Sequence, residues 1–281
     1  EIVNIINENN VCLFMKGMPE APQCGFSMTV SNILKHLKHF SQDIEIVIND
    51  EGLYAQGMDS GHVALFELAL KKEWFTSYEV DGEVTLGINC ELIAKVLNCL
   101  TNNQTISMDY DTKKDNLTIS LIPREGESGM KKEFKMPLMD LSSEILEIPD
   151  AEYTADLEIE SQEFYHLIDE MSIFGDTLGV NFNCDEVKFT GKGNLGEMTA
   201  VIKEDDIIMY AVEEGADMSI EYAMSYLKTF TCFSRVNSIV KIHMSDNIPM
   251  KIQYDMEDNE DEDTEVENYL RFYLAPKLED F

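Results

Sequence analysis

Two stretches of this 281-residue sequence hold side chains whose types and spacing could do chemistry. The first is "PQCGFS" (22–27), where Cys24 sits as a loop runs into a helix. A helix N-terminus lowers a thiol's pKa, so thiolate chemistry is physically reasonable there. The second is "SNILKHLKHF" (31–40), read as a helix whose outward face carries Ser31, Asn32, Lys35, His36, Lys38 and His39 with no acid among them. Such a face suits a polyanion. The formal net charge of −33 argues the other way, because an acidic surface repels phosphate. Position along the chain has to decide between total and local charge.

The remaining cysteines, Cys12, Cys90, Cys99, Cys184 and Cys232, are scattered, and no two share C-x-x-C spacing. That argues against a disulfide framework or structural zinc and for a reducing compartment. No apolar run approaches the roughly 18 residues of a membrane helix, and no cleavable signal is visible, so no membrane partner is expected. Because the chain starts at Glu1, a preceding segment is expected.

The elements that would position these side chains follow from periodicity. In "YTADLEIE" (153–160), Tyr153, Ala155, Leu157 and Ile159 face one way and Thr154, Asp156, Glu158 and Glu160 the other, which is half-buried antiparallel strand. "TISMDY" with "LTISLI", and "VKIHM" with "MKIQYDM", read as hairpins. Four segments have helical spacing instead: 30–40 (Val30, Ile33, Leu34, Leu37, Phe40), 91–100 (Leu92, Ile93, Val96, Leu97, Leu100), 162–171 (Phe164, Leu167, Ile168, Met171) and 221–232 (Ala223, Tyr226, Leu227, Phe230). Helices 30–40 and 162–171 each lead into a run of strands. Helices 91–100 and 221–232 each precede a hairpin. The chain therefore reads as two copies of one α+β unit, joined through "MPLMDLSSEILEIPDAE" (136–152).

"GMDSGHVALFEL" (57–68), "LMDLSSEILEIPDAEY" (138–153), "VKFTGKGNLGE" (187–197) and "YLAPKLED" (273–280) resemble the proliferating cell nuclear antigen family of eukaryotic sliding clamps, in order, from about residue 30 onward. The resemblance implies two similar DNA-clamp domains, antiparallel sheets with two helices each, at 30–136 and 153–281, with a connector at 137–152. It implies a head-to-tail homotrimer around double-stranded DNA, gripped without regard to sequence, and a nuclear location. The implied role is a processivity factor that tethers DNA polymerase, the clamp loader and other proteins with a clamp-binding motif. No catalytic residue, cofactor or metal is implied.

Carried over by position, the DNA-facing set is Lys35, His36, Lys38, His39, Lys95 and Lys228, with Glu91 and Glu221 diluting it and the third helix presenting His166 and Asp169. The implied partner pocket comprises Met58, His62, Val63 and Leu65, then Leu146, Ile148 and Pro149, then Pro249 with Tyr273, Leu274, Ala275, Pro276 and Lys277. Its logic is helix-in-groove recognition. Subunit contact would join Phe134 and the "MKKEFKM" strand to Leu195–Val201 of a neighbour. The family's lysine for ubiquitin-like modifiers corresponds here to Cys184, and "EDNEDEDTEVE" (257–267) replaces a short turn with a solvated acidic spacer.

Residues 1–34 resemble another family, the monothiol glutaredoxins, through "IVNIINENNVCLFMKGMPEAPQCGFS". There Cys24 would bind glutathione or an iron–sulfur cluster and Lys16 a carboxylate, the alternative function for this chain. The later loops of that site are missing after residue 40. The segment 1–29 is thus expected as a partial thioredoxin-like piece carrying a redox remnant. Its "VCLFMKG" is apolar and β-prone, suited to replace the opening strand of a clamp domain.

Overall fold

The computed structural model describes residues 11–15, 25–111, 116–141, 145–149, 151–256 and 266–277, with the backbone alone at 11–15 and 25–30. The chain divides into two compact units, Glu1–Gly57 with Leu68–Ile145 and Met58–Glu67 with Leu146–Phe281.

The first unit runs β1 (Val11–Met15), α1 (Gly25–Leu37), β2 (Asp43–Ile48), β3 (Gly52–Met58), β4 (Ala64–Lys71), β5 (Ser77–Val80), β6 (Val84–Asn89), α2 (Cys90–Leu97), β7 (Gln104–Asp111), β8 (Asn116–Pro123) and β9 (Lys132–Pro137). One sheet has the order β5-β1-β7-β8-β9, and β6, β2 and β3 lie side by side in another. All the pairings given between these strands are antiparallel. Alternation builds the core. Ile44, Ile46 and Ile48 of β2 are buried, as are Leu117, Ile119 and Leu121 of β8. Helix α1 packs on α2 through buried Ile33, Leu34 and Leu37 and Ile93, Val96 and Leu97, each contributing about 1.5–3 kcal/mol. Asn89 starts α2 by accepting the Leu92 N–H, a cap whose loss costs about 1 kcal/mol.

The second unit repeats that order: β10 (Ala155–Glu160), α3 (Ser161–Met171), β11 (Thr177–Asn183), β12 (Glu186–Gly193), β13 (Gly196–Lys203), β14 (Met209–Val212), β15 (Asp217–Ala223), α4 (Met224–Thr231), β16 (Ile239–Ser245), β17 (Ile248–Asp255) and β18 (Tyr269–Leu274). Its sheets are β14-β10-β16-β17-β18 and β13-β12-β11-β15. Residues 64–67 of β4 belong to this unit and continue the first sheet past β18. Phe164, Ile168, Leu227 and Phe230 are buried under α3 and α4, and Phe230 stacks on Phe272 at 4.5 Å between ring centroids.

Three details depart from the sequence expectations. Helix α1 ends at Leu37, so Lys38 and His39 lie in the following turn, closed by His39 N–H to His36 O. Ser31, expected on the open face, is fully buried, because it lies one turn before Leu34 and shares that residue's packed stripe. Helix α4 begins only at Met224, so Glu221 belongs to β15 rather than to a helix face. The described part of "VCLFMKG", β1, pairs with both β5 and β7, with Leu13 opposite Tyr78 on one side and Met108 on the other.

Candidate functional site

At the end of α1, Lys35 and His36 are half-buried and Lys38 and His39 are exposed. Burial draws the Lys35 pKa below its ordinary value. His39 is also lowered, first by burial and then by the charges of Lys38 and His36. The His36 Nδ1–H donates to Asn32 O at 2.7 Å, which fixes the ring beside that of His39 at 6.2 Å. On α2, exposed Lys95 pairs with Glu91 at 2.7 Å, and this contact holds the Glu91 carboxyl below its usual range. In the second unit, Lys228 of α4 reaches Asp169 of α3 at 3.3 Å and Ser172 Oγ at 3.0 Å. His166 on α3 is exposed, as expected.

The residues of the expected partner pocket all belong to the second unit. Among them is the turn 59–63, which is built around Asp59, a residue that sequence reasoning missed. The Asp59 carboxylate accepts the backbone N–H groups of Gly61, Val63 and Ala64, each at 2.8 Å, and the Tyr226 hydroxyl at 2.6 Å. Burial pushes the Asp59 pKa up, but these donors outweigh it and hold the group below its ordinary value. The same bond and burial push the Tyr226 hydroxyl up to about 12. A Cβ at position 61 would lie 2.9 Å from Asp59 Oδ2, which explains the glycine. The turn also sets His62 at φ 54°, a left-handed conformation that histidine tolerates better than most residues. The D-x-G spacing of an Asx-type turn is the signal that could have revealed Asp59.

Around this turn, Val63 O accepts the Ala275 N–H at 2.9 Å, and the His62 Nδ1 lies 2.9 Å from Met58 Sδ. Val63 and Leu146 are exposed apolar residues, Pro149 and Pro249 are exposed, and Ile148, Tyr273 and Pro276 are half-buried. Lys277 is tied down by its N–H to Glu221 O and its Nζ to Thr177 Oγ1. Leu65 and Leu274 depart from expectation. At 7% and 0% exposure they belong to the core: alternation in β18 turns Leu274 inward, whereas Leu65 lies in the run 64–68 of β4, which is buried on both faces.

Strands β9 and β13 each end their sheet. Phe134 is half-buried in β9, and Val201 in β13 is 49% exposed. Leu195 is not in that strand. It occupies the turn between β12 and β13 and is 82% exposed.

Lys16, Cys24 and the acidic stretch 257–265 lie outside the described residues. Cys184 is exposed, with its Sγ 3.8 Å from Glu213 O. Burial, aided by Asp43, pushes the Cys90 thiol up to about 12, far from thiolate chemistry. No cluster of metal-ligating side chains exists among the described residues.

A duplicated unit with two helices laid over antiparallel sheets is the architecture of the DNA clamps. Family models of the N-terminal and C-terminal domains of proliferating cell nuclear antigen match residues 26–145 and 147–277, and the chain belongs to that family. Proliferating cell nuclear antigen of Chaetomium thermophilum is 28% identical over 256 residues, spanning 89% of this chain and 95% of that protein. The crystal structure of proliferating cellular nuclear antigen from Entamoeba histolytica shares the fold, with a TM-score of 0.81 at 22% identity over 96% of this chain and 100% of that one. The protein is thus a sliding clamp subunit, a non-enzymatic processivity factor that encircles DNA as a trimer and tethers polymerases and other proteins with a clamp-binding motif.

Proposed function

We propose that Lys35, His36, Lys38 and His39, with Lys95 and Lys228, face the duplex and hold it through phosphates, in the nucleus, with 30–136 and 153–281 as the two clamp domains and 137–152 as connector. A loose grip on phosphates carries no sequence information and permits sliding. Partners dock on the surface formed by Met58, His62, Val63, Leu146, Ile148, Pro149, Pro249, Tyr273, Ala275 and Pro276, with Leu65 and Leu274 buried in the core. Subunits join by pairing β9 of one copy with β13 of the next, with Phe134, Leu195 and Val201 at the joint.

The strongest support is the repeat itself. In chain order β9 is the counterpart of β18, and β13 is the counterpart of β4. The edge of β18 is occupied by residues 64–67 of β4, whereas β9 and β13 are both sheet ends. Pairing these two between copies repeats an arrangement the chain already makes, and it covers edges that would otherwise invite aggregation. Exposed Lys38 and half-buried Lys35, on an acid-free helix end, support the DNA-facing assignment.

The test is the charge-reversed variant Lys35→Glu/Lys38→Glu. Its trimer should stay intact on sizing while its affinity for duplex DNA falls and the salt slope flattens. Unchanged DNA binding would remove α1 from the DNA-facing surface. The glutaredoxin alternative finds no support, since β1, part of the segment shared with that family, pairs in the clamp sheet.

A further inference from the structure

We infer that Asp169 and Glu91 are built-in attenuators of the clamp's attraction for DNA, acting by occupying Lys228 and Lys95. The inference rests on the DNA-facing assignment above and concerns how strongly that surface holds phosphate.

Lys95 and Lys228 take matching places in the two units. Each stands on the second helix of its unit, four residues before an exposed cysteine, Cys99 or Cys232, whose Sγ points back to that lysine's own carbonyl. Both ammonium groups are engaged, but by different routes. Glu91 comes from the same helix one turn earlier, at 2.7 Å from Lys95. Asp169 comes from the neighbouring helix α3, at 3.3 Å from Lys228, and Ser172 Oγ supports the same nitrogen at 3.0 Å. Two different acids thus neutralise two equivalent lysines. Lys35 on α1 and Lys38 in the turn after it, by contrast, make no ion pair among the described residues, although the Lys38 charge also helps to lower the Glu91 pKa.

Phosphate and carboxylate compete for the same ammonium. An approaching phosphate must either displace the carboxylate or share the lysine with a like charge a few ångströms away, well within the roughly 8–10 Å over which charges are felt in physiological salt. The pairs are open to water, with side chains about half to two-thirds exposed, so the lysines are restrained rather than removed. The grip then falls mainly to α1. A ring that must travel along its track has a use for such restraint, because each firm phosphate contact adds a counterion-release step to every displacement.

The test uses the full-length trimer and a short fluorescent DNA duplex, with affinity measured by anisotropy across a salt series. Asp169→Asn and Glu91→Gln should each strengthen binding and steepen the log–log salt slope, by up to about 0.9 for each lysine that gains a phosphate. In a Lys228→Gln background, Asp169→Asn should add nothing. Glu214→Gln, an equal charge change in the exposed turn between β14 and β15, should leave binding as it was. No gain from Asp169→Asn and Glu91→Gln, while Lys35→Glu/Lys38→Glu still weakens binding, overturns the attenuator and leaves the DNA-facing assignment standing. If none of these variants changes DNA binding, the DNA-facing assignment falls as well. A gain that persists without Lys228, or that Glu214→Gln reproduces, also overturns the inference, because the cause would then be overall charge.

Discussion

The Tyr226 hydroxyl donates a 2.6 Å hydrogen bond to the Asp59 carboxylate, joining positions 167 residues apart in the chain. One partner stands on α4, two residues before Lys228. The other organises the turn that carries His62 and Val63. Within one unit, the helix assigned to DNA and the turn assigned to partners therefore share a hydrogen-bonded link.

Removing that link has a stated cost. Tyr226→Phe should destabilise the second unit by about 1.5–3 kcal/mol, the usual worth of a hydrogen bond to a charged group. Asp59→Ala should cost more, since it strands three backbone N–H groups, and it should weaken binding of a clamp-binding-motif peptide. Because the folded-state pKa of Asp59 is depressed, its contribution is present above the ordinary carboxylate value of about 4 and is lost as pH falls through the folded value. Thermal unfolding of wild type and Tyr226→Phe across acidic pH should accordingly show a gap that narrows below about pH 4. A gap independent of pH would deny Tyr226 its hold on Asp59.

Asp156 and His243 face each other across β10 and β16, 2.5 Å apart. Burial lowers the His243 pKa, and the charges of Lys251 and Lys241 act in the same direction, against the raising effect of Asp156. The ring is thus neutral at physiological pH, with Nδ1–H donating to Asp156. The unfolded chain takes up this proton more readily, so stability should decline as pH drops below about 6.5 toward the folded-state value. His243→Gln should flatten that slope below about pH 6.5, as read by melting temperature. An unchanged slope would locate the titration elsewhere.

Val201 is half-exposed on the end strand β13, so a polar replacement costs the isolated subunit little, within about 0.5 kcal/mol. Val201→Lys should therefore shift sizing from three chain masses toward one while the melting of the second unit is kept. A trimer that persists would place the joint on other edges.

Val63 contributes its carbonyl to Ala275 and leaves its side chain exposed. Val63→Asp keeps the backbone bond and puts a charge on the apolar docking surface. Peptide affinity should fall by about ten-fold or more, equivalent to about 1.4 kcal/mol, with trimer and DNA binding unaffected. Calorimetric titration would check this, and an unchanged affinity would move the docking surface away from Val63.

The duplicated order of elements is legible in the sequence because alternation in β10 and three- and four-residue spacing in α1 and α3 are local signals. The exposed Lys95 and Lys228 are equally legible, since helical period alone sets their faces. Ser31 is less so. A small polar residue at the border of a stripe is buried or exposed according to the neighbour that packs on it, and period cannot supply that neighbour. The start of α4 is less legible because Ala223, the last residue of β15, continues the helical stripe of Tyr226, Leu227 and Phe230 backwards. The ion pair of Lys228 with Asp169 and the bond of Tyr226 to Asp59 join distant segments, so no spacing rule reaches them. The inward turn of Leu274 follows from strand parity, whereas the burial of Leu65 does not, because parity puts it on one face with Glu67 and only packing on that face buries it.

The strand Val11–Met15 lies between β5 and β7 rather than at a margin. A cut or deletion just after it would not trim an appendage. It would unzip two ladders at once, leaving β5 without its neighbour and baring the hydrogen-bonding groups of β7. The stretch that looks most foreign to a clamp thus fills the gap between two strands of this sheet.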